Sequence, residues 1–172
     1  TLRQGLKVEP RDPALWKGLG AVYREWAQMP GQEADIAGWM GKSLQAYQQA
    51  LKSEPADAAL LNNLGNTLQE LGRPQEALEY HQQALELDPA DVRTYVNIGA
   101  AHWMLKDLEA AGRFFARAVE MDPGYAMAWY NLGRLRAAQG ARPAALRAYH
   151  RAAALDRQYA EWLQPRLRAL QE

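Results

Sequence analysis

The chain has no cysteine. That excludes disulfides, thiolate nucleophiles, redox switching and Cys-based zinc sites, and it leaves the compartment open. No run of about twenty apolar residues occurs, and residues 1–10 lack the charged-then-apolar order of a secretory signal. A soluble protein without a membrane partner is expected, in the cytoplasm by preference and in the periplasm as second choice. Net charge is missing too: twenty Lys and Arg balance twenty Asp and Glu, so no overall field would gather nucleic acid. The three histidines, His81, His102 and His150, share no HxxxH or His–carboxylate grouping, and no structural metal is expected. No nucleophile elbow, phosphate loop or Gly-rich dinucleotide fingerprint is present. The chain is therefore read as a non-enzyme with no catalytic residue and no cofactor.

What is present is a repeat. Gly65, Gly99 and Gly133 stand 34 residues apart, as do Pro55, Pro89 and Pro123, Ala77, Ala111 and Ala145, and Ala84, Ala118 and Ala152. Bulky residues keep the same pitch: Leu61, Tyr95 and Trp129 ahead of each Gly, and His81, Phe115 and Tyr149 ahead of the second Ala. An upstream copy is carried by Trp16, Leu19, Gly20, Tyr23, Ser43, Tyr47, Ala50 and Pro55. Each copy predicts two antiparallel helices. The glycine lets the first approach its partner, and the small Ala77, Ala111 and Ala145 answer from the second. An acidic residue and Pro (Glu54-Pro55, Asp88-Pro89, Asp122-Pro123) stop the second helix. Gly72-Arg73-Pro74 and Gly140-Ala141-Arg142-Pro143 make the intervening turn. With 48% hydrophobic residues over 172 positions, a core can be buried without staples.

From residue 11 to about 157 the pattern resembles the tetratricopeptide repeat (TPR), whose 34-residue W, L-G, Y, A, F, A, P signature it follows in register. The Asn-Leu-Gly and Asn-Ile-Gly triplets ending at Gly65, Gly99 and Gly133 are similar to those of O-GlcNAc transferase-like superhelical TPR proteins; the glycosyltransferase domain of that family has no counterpart. The resemblance implies an all-α, right-handed α-solenoid of four helix–turn–helix units plus a C-terminal capping helix. Residues 1–10 would be the tail of a preceding repeat helix in a fragment of a longer chain. Residues 11–55, 56–89, 90–123 and 124–157 would be the four repeats, and residues 158–172 the cap. The departures are His81, His102 and Arg136 in aromatic slots and Arg157 for the final Pro; those slots are expected to pack less tightly.

Gly20 to Gly65 is 45 residues instead of 34. Eleven extra residues are about three helical turns, and Ile36, Met40, Leu44, Tyr47 and Leu51 keep helical spacing. The expectation is a turn at Met29-Pro30-Gly31 and one helix over 33–53, about three turns longer than its counterparts. Trp26 and Trp39 flank the insertion and are read as core filling. Tyr159, Trp162, Leu163, Leu167 and Leu170 make the amphipathic final helix, with Pro165 as its kink point.

In the resemblance, the first helix of each repeat lines a concave groove that binds an extended peptide of a partner protein. The groove positions fall on Asn62, Asn63, Asn66 and Gln69, then Arg93, Val96, Asn97 and Trp103, then Met127, Tyr130, Asn131 and Arg134. Asn63, Asn97 and Asn131 would form an amide row able to grip a peptide backbone; the alternative is an Asn satisfied within its own repeat. A chaperone-type carboxylate clamp is matched only by Lys17, Asn63 and Arg93, while Ala21 and Asn97 depart from it. Residues 57–91 carry seven acids against Arg73, and residues 134–172 eight Arg against Asp156, Glu161 and Glu172. Ordinary solvated faces account for this, the alternative being a bipolar ligand or weak head-to-tail self-association. The rival to peptide binding is a structural spacer or self-assembly module that stacks through its terminal repeats.

Overall fold

The computed structural model describes residues 12–29 and 35–171. The expected helical tail at 1–10 and the turn at Pro30-Gly31 lie outside the described residues. Among those described are nine α-helices and no strand: α1 (Pro13–Gln28), α2 (Ile36–Ser53), α3 (Ala58–Glu70), α4 (Pro74–Leu87), α5 (Val92–Met104), α6 (Leu108–Met121), α7 (Ala126–Ala138), α8 (Arg142–Leu155) and α9 (Arg157–Gln171). The class is the all-α solenoid. The chain forms two compact units, one ending at Pro89 and one beginning at Ala90. Within each, consecutive helices pack together, and three-residue connections force α3–α4, α5–α6 and α7–α8 to run antiparallel.

Aspartates cap the starts of α1, α3, α5 and α6. Asp12, Asp57, Asp91 and Asp107 each accept a backbone N–H from the first turn of the following helix, at 2.9–3.1 Å. α3, α5 and α7 each end in a left-handed residue at a fixed place: Gly72 has φ 73°, Lys106 64° and Gly140 72°. The next N–H then reaches back to Leu68, His102 or Arg136, at 2.8–3.0 Å, closing the last turn. Gly suits this conformation and Lys106 does not.

The core is built where the glycines predicted a close approach. A Cβ placed on Gly20, Gly99 or Gly133 would lie 2.5–2.6 Å from the rings of Tyr47, Phe115 or Tyr149, and one on Gly65 would meet the His81 ring. The ring fills the space of the missing side chain. The small-residue slot lies against the same helix backbone: Ser43, in the place of Ala77, donates to the Gly20 carbonyl at 2.8 Å. Leu44, Tyr47, Leu60, Leu64 and Leu68 close the interior of the first unit. Val96, Phe115 and Leu135, then Tyr130, Tyr149 and Leu163, do so in the second.

Loose packing does not follow at His81, which is fully buried. Its Nδ1–H donates to Asn62 Oδ1 at 2.9 Å and its Nε2 accepts from Gln69 Nε2 at 3.4 Å. Two amides replace the contacts a larger ring would make. Burial lowers its pKa from 6.5 to about 4, so the ring is neutral. His102 stacks on Phe114 at 5.6 Å. Arg136 is half-buried and donates to Gln139 Oε1.

The eleven-residue insertion is not spent on one helix. α1 has 16 residues against 13 in α3, α5 and α7, and α2 has 18 against 14 in α4, α6 and α8. Seven residues separate Gln28 from Ile36 in sequence, against three between the later paired helices. α2 is therefore about one turn longer than its counterparts, not three, and residues 33 and 34 of the expected helix lie outside the described ones. Extending both partners together keeps the added surface paired. Trp39 packs on Trp26 at 5.1 Å and on Tyr23 at 5.9 Å, with Lys42 Nζ 3.8 Å over the Trp39 ring.

Candidate functional site

In the second unit, α5, α7 and α9 bring their side chains to one patch. Tyr130 and Arg134 are one turn apart on α7, so they point the same way. The Arg134 guanidinium lies over the Trp103 ring of α5 at 5.2 Å and over Tyr130 at 5.6 Å. From α9, Trp162 and Tyr159 approach Tyr130 with ring centroids 4.9 and 5.3 Å away. Arg166, one turn beyond Trp162, lies 4.5 Å over its ring and donates to the Tyr130 hydroxyl at 3.2 Å. Stacking of this kind holds a guanidinium while leaving its N–H edge available.

Beside the patch is an open cleft of about 710 Å³, lined by the start of α7, the end of α8 and the start of α9. Tyr125, Met127, Leu155, Asp156, Tyr159 and Trp162 contribute to it. Met127 is 41% exposed and Trp162 52%. Burial raises the phenols of Tyr125, Tyr149 and Tyr159 above their ordinary value, so at neutral pH they carry their protons.

The residues expected to line a groove divide into two sets. Trp103, Met127 and Arg134 meet in the patch and its cleft, around Tyr130, which is itself nearly buried. Asn62 and Val96 do not present themselves: both are buried, Asn62 against His81 and Val96 in the core with Phe115. Asn131 is nearly buried. Its Nδ2 donates to the Met127 carbonyl one turn earlier at 3.0 Å, and its Oδ1 accepts from Arg134 at 3.5 Å. It is satisfied within its own repeat, with Arg134 its only link to the patch. Asn63 and Asn66, on α3, and Asn97, on α5, are half-buried. The clamp cations are engaged: Lys17 pairs with Glu54 and Asp57 at 2.6 and 3.0 Å, and Arg93 with Asp91 at 2.8 Å.

Three models of the tetratricopeptide repeat match residues 58–91, 92–125 and 113–161, together more than half of the chain. The chain belongs to the tetratricopeptide-repeat family. No curated protein matches it. Among solved structures, the TPR chain is 27% identical to MamA, with a TM-score of 0.61 and 75% of each chain covered. It is 25% identical to YrrB, described as "a TPR protein with an unusual peptide-binding site", with a TM-score of 0.68, covering 95% of this chain and 80% of that one. The type IV pilus biogenesis factor PilW shares the fold, at 22% identity and a TM-score of 0.73 over 90% of this chain and 66% of its own.

Tyr159, Trp162 and Arg166 of this TPR chain join the candidate patch and were not expected there. Their i, i+3, i+7 spacing was visible, but the apolar pattern of α9 assigned Trp162 to the covered face together with Leu163. Adjacent positions on a helix lie about 100° apart. Leu163 is fully buried while Trp162 is half exposed.

Proposed function

We propose that this TPR chain is a non-catalytic interaction module that holds an extended segment of a partner protein against the faces of the first helices of its repeats. In the second unit that face is the patch of α5, α7 and α9, with Asn97, Trp103, Met127, Tyr130 and Arg134 joined by Trp162 and Arg166. One observation carries the reading: a half-exposed Trp162 and an exposed Met127 border an open cleft floored by aromatic rings. Large apolar side chains left exposed around a concavity are what a partner's anchor residue fills. In the first unit Asn63 and Asn66 offer polar groups to a passing backbone. Among the described residues no helix is long and apolar enough to cross a membrane.

Selection of random displayed peptides on the intact chain tests the reading. The selected peptides are expected to lose about tenfold or more in affinity on Trp162→Ala. They should be unaffected by Leu87→Ala, an exposed residue at the end of α4. Peptides that bind both variants as they bind the parent would place the interaction surface elsewhere.

A further inference from the structure

Several of the cations among the described residues are answered by the chain's own carboxylates. Arg24 pairs with Glu70 at 2.8 Å, Arg73 with Glu76 at 2.5 Å, Arg113 with Glu109 at 2.7 Å and Arg157 with Glu161 at 3.2 Å. Lys17 and Arg93 are matched as described above. Arg134 and Arg166 differ: among the described residues neither has a carboxylate within 4.0 Å, although both are held in place, Arg134 by two rings and Arg166 by a ring and a phenol. Arg142, Arg147 and Arg151 of α8 are exposed as well, but no ring holds them. Arg134 and Arg166 thus flank Tyr130 from two helices as ordered, uncompensated charges, within a segment that carries eight Arg against three acids.

We infer that the patch of α5, α7 and α9 takes an acidic peptide segment. Its carboxylates meet the N–H edges of Arg134 and Arg166, and a neighbouring apolar side chain rests against Trp162 and Met127. The inference depends on that patch being the peptide surface and adds the chemistry of its ligand. A guanidinium stacked by its face keeps two parallel N–H groups for a carboxylate. Because the rings already restrict both side chains, less rotamer freedom is lost on binding than for two free surface arginines. The aromatic floor between the charges favours a chain carrying both acidic and apolar side chains over a small anion. Single-stranded nucleic acid also stacks on rings, but it needs a stripe of cations along its backbone. In this patch only two ring-held cations lie side by side, Arg134 and Arg166, in a chain with no net charge.

The test titrates three probes calorimetrically into the intact chain: a synthetic peptide of alternating glutamate and leucine, the same peptide with glutamine for glutamate, and single-stranded oligothymidylate. The glutamate peptide is expected to bind about tenfold or more tightly than the glutamine peptide. Arg134→Gln with Arg166→Gln should abolish that preference, and Arg134→Lys with Arg166→Lys should keep much of it. Melting curves establish that each variant is folded. Equal affinity for the two peptides, or an acid preference that survives the double glutamine change, overturns the inference. If both peptides bind equally and Trp162→Ala removes both, the surface stands and its acid selectivity falls. Oligothymidylate binding more tightly than the glutamate peptide, through the same arginines, makes this a nucleic-acid site and overturns the inference as well.

Discussion

At the residue scale, His81 is the position where a titratable group closes a repeat interior. Its slot is filled by Phe115 and Tyr149 in the following repeats, and the slot of its partner Asn62 by Val96 and Tyr130. In the fold His81 is held neutral with a pKa of about 4 against the ordinary 6.5. Between those values the unfolded chain takes up a proton that the folded chain refuses. The stability present above pH 6.5 is therefore lost as pH falls towards 4, by about 3 kcal/mol, and the loss then levels off. Chemical denaturation at a series of pH values should show this, and Asn62→Val with His81→Phe should remove it. His81→Phe alone should gain less, because it takes the His81 N–H from Asn62 Oδ1 in a buried place. An acid profile unchanged by the double substitution would assign the loss to other groups. His81 itself was legible as a departure from the 34-residue grid. Asn62 was legible only through its slot, which Val96 and Tyr130 fill in the following repeats; the amide row of Asn63, Asn97 and Asn131 one position along drew attention away from it.

At the element scale, the turns after α3, α5 and α7 ask for a left-handed residue, and α5 supplies Lys106 where α3 and α7 supply Gly72 and Gly140. Lys106→Gly removes the Cβ clash, offset in part by the greater freedom of glycine in the unfolded chain. A net gain of about 0.5–1 kcal/mol is expected. Thermal melting that falls on this change would mean that the Lys106 side chain contributes more than its backbone costs. Helix existence and pairing were legible because Gly, Ala, Asp and Pro punctuate each repeat for steric and hydrogen-bonding reasons that do not depend on neighbours. The placement of the insertion was not. Helical periodicity in α2 continues whether the helix gains one turn or three, and only the growth of α1 alongside it fixes the amount. α9 illustrates the same limit. Its amphipathic pattern identified a covering helix, but which aromatic is covered depends on where Tyr130 stands.

At the scale of the whole molecule, the zero formal charge bears on how any partner is held. Recognition through two arginines and an aromatic floor should depend only mildly on salt. Raising monovalent salt from ~50 to ~200 mM should weaken the glutamate peptide by about tenfold at most, since few ion contacts are involved. A loss on the order of a thousandfold would reveal a polyelectrolyte-like ligand held by many cations instead. Calorimetry at the two salt concentrations reads this directly. The opposite charge excess of residues 57–91 and 134–172 was plain in the sequence, whereas its compensation was not. Lys17 reaches Glu54 and Asp57 across some forty positions, and pairing at that range emerges only when helices are assembled.

The pairing of slots inside each repeat also constrains how such a chain can be copied and recombined. Asn62 with His81, Val96 with Phe115 and Tyr130 with Tyr149 are three chemistries in one pair of positions, nineteen residues apart and always within a single repeat. A genetic exchange whose joint falls in the segments 54–57, 88–91 or 122–125 carries each pair over intact. A joint in the short turn between paired helices would set Val96 opposite His81, or Asn62 opposite Phe115, leaving a polar group facing an apolar one inside the fold. Duplications and deletions of this array should therefore be tolerated by whole repeats and rejected by halves.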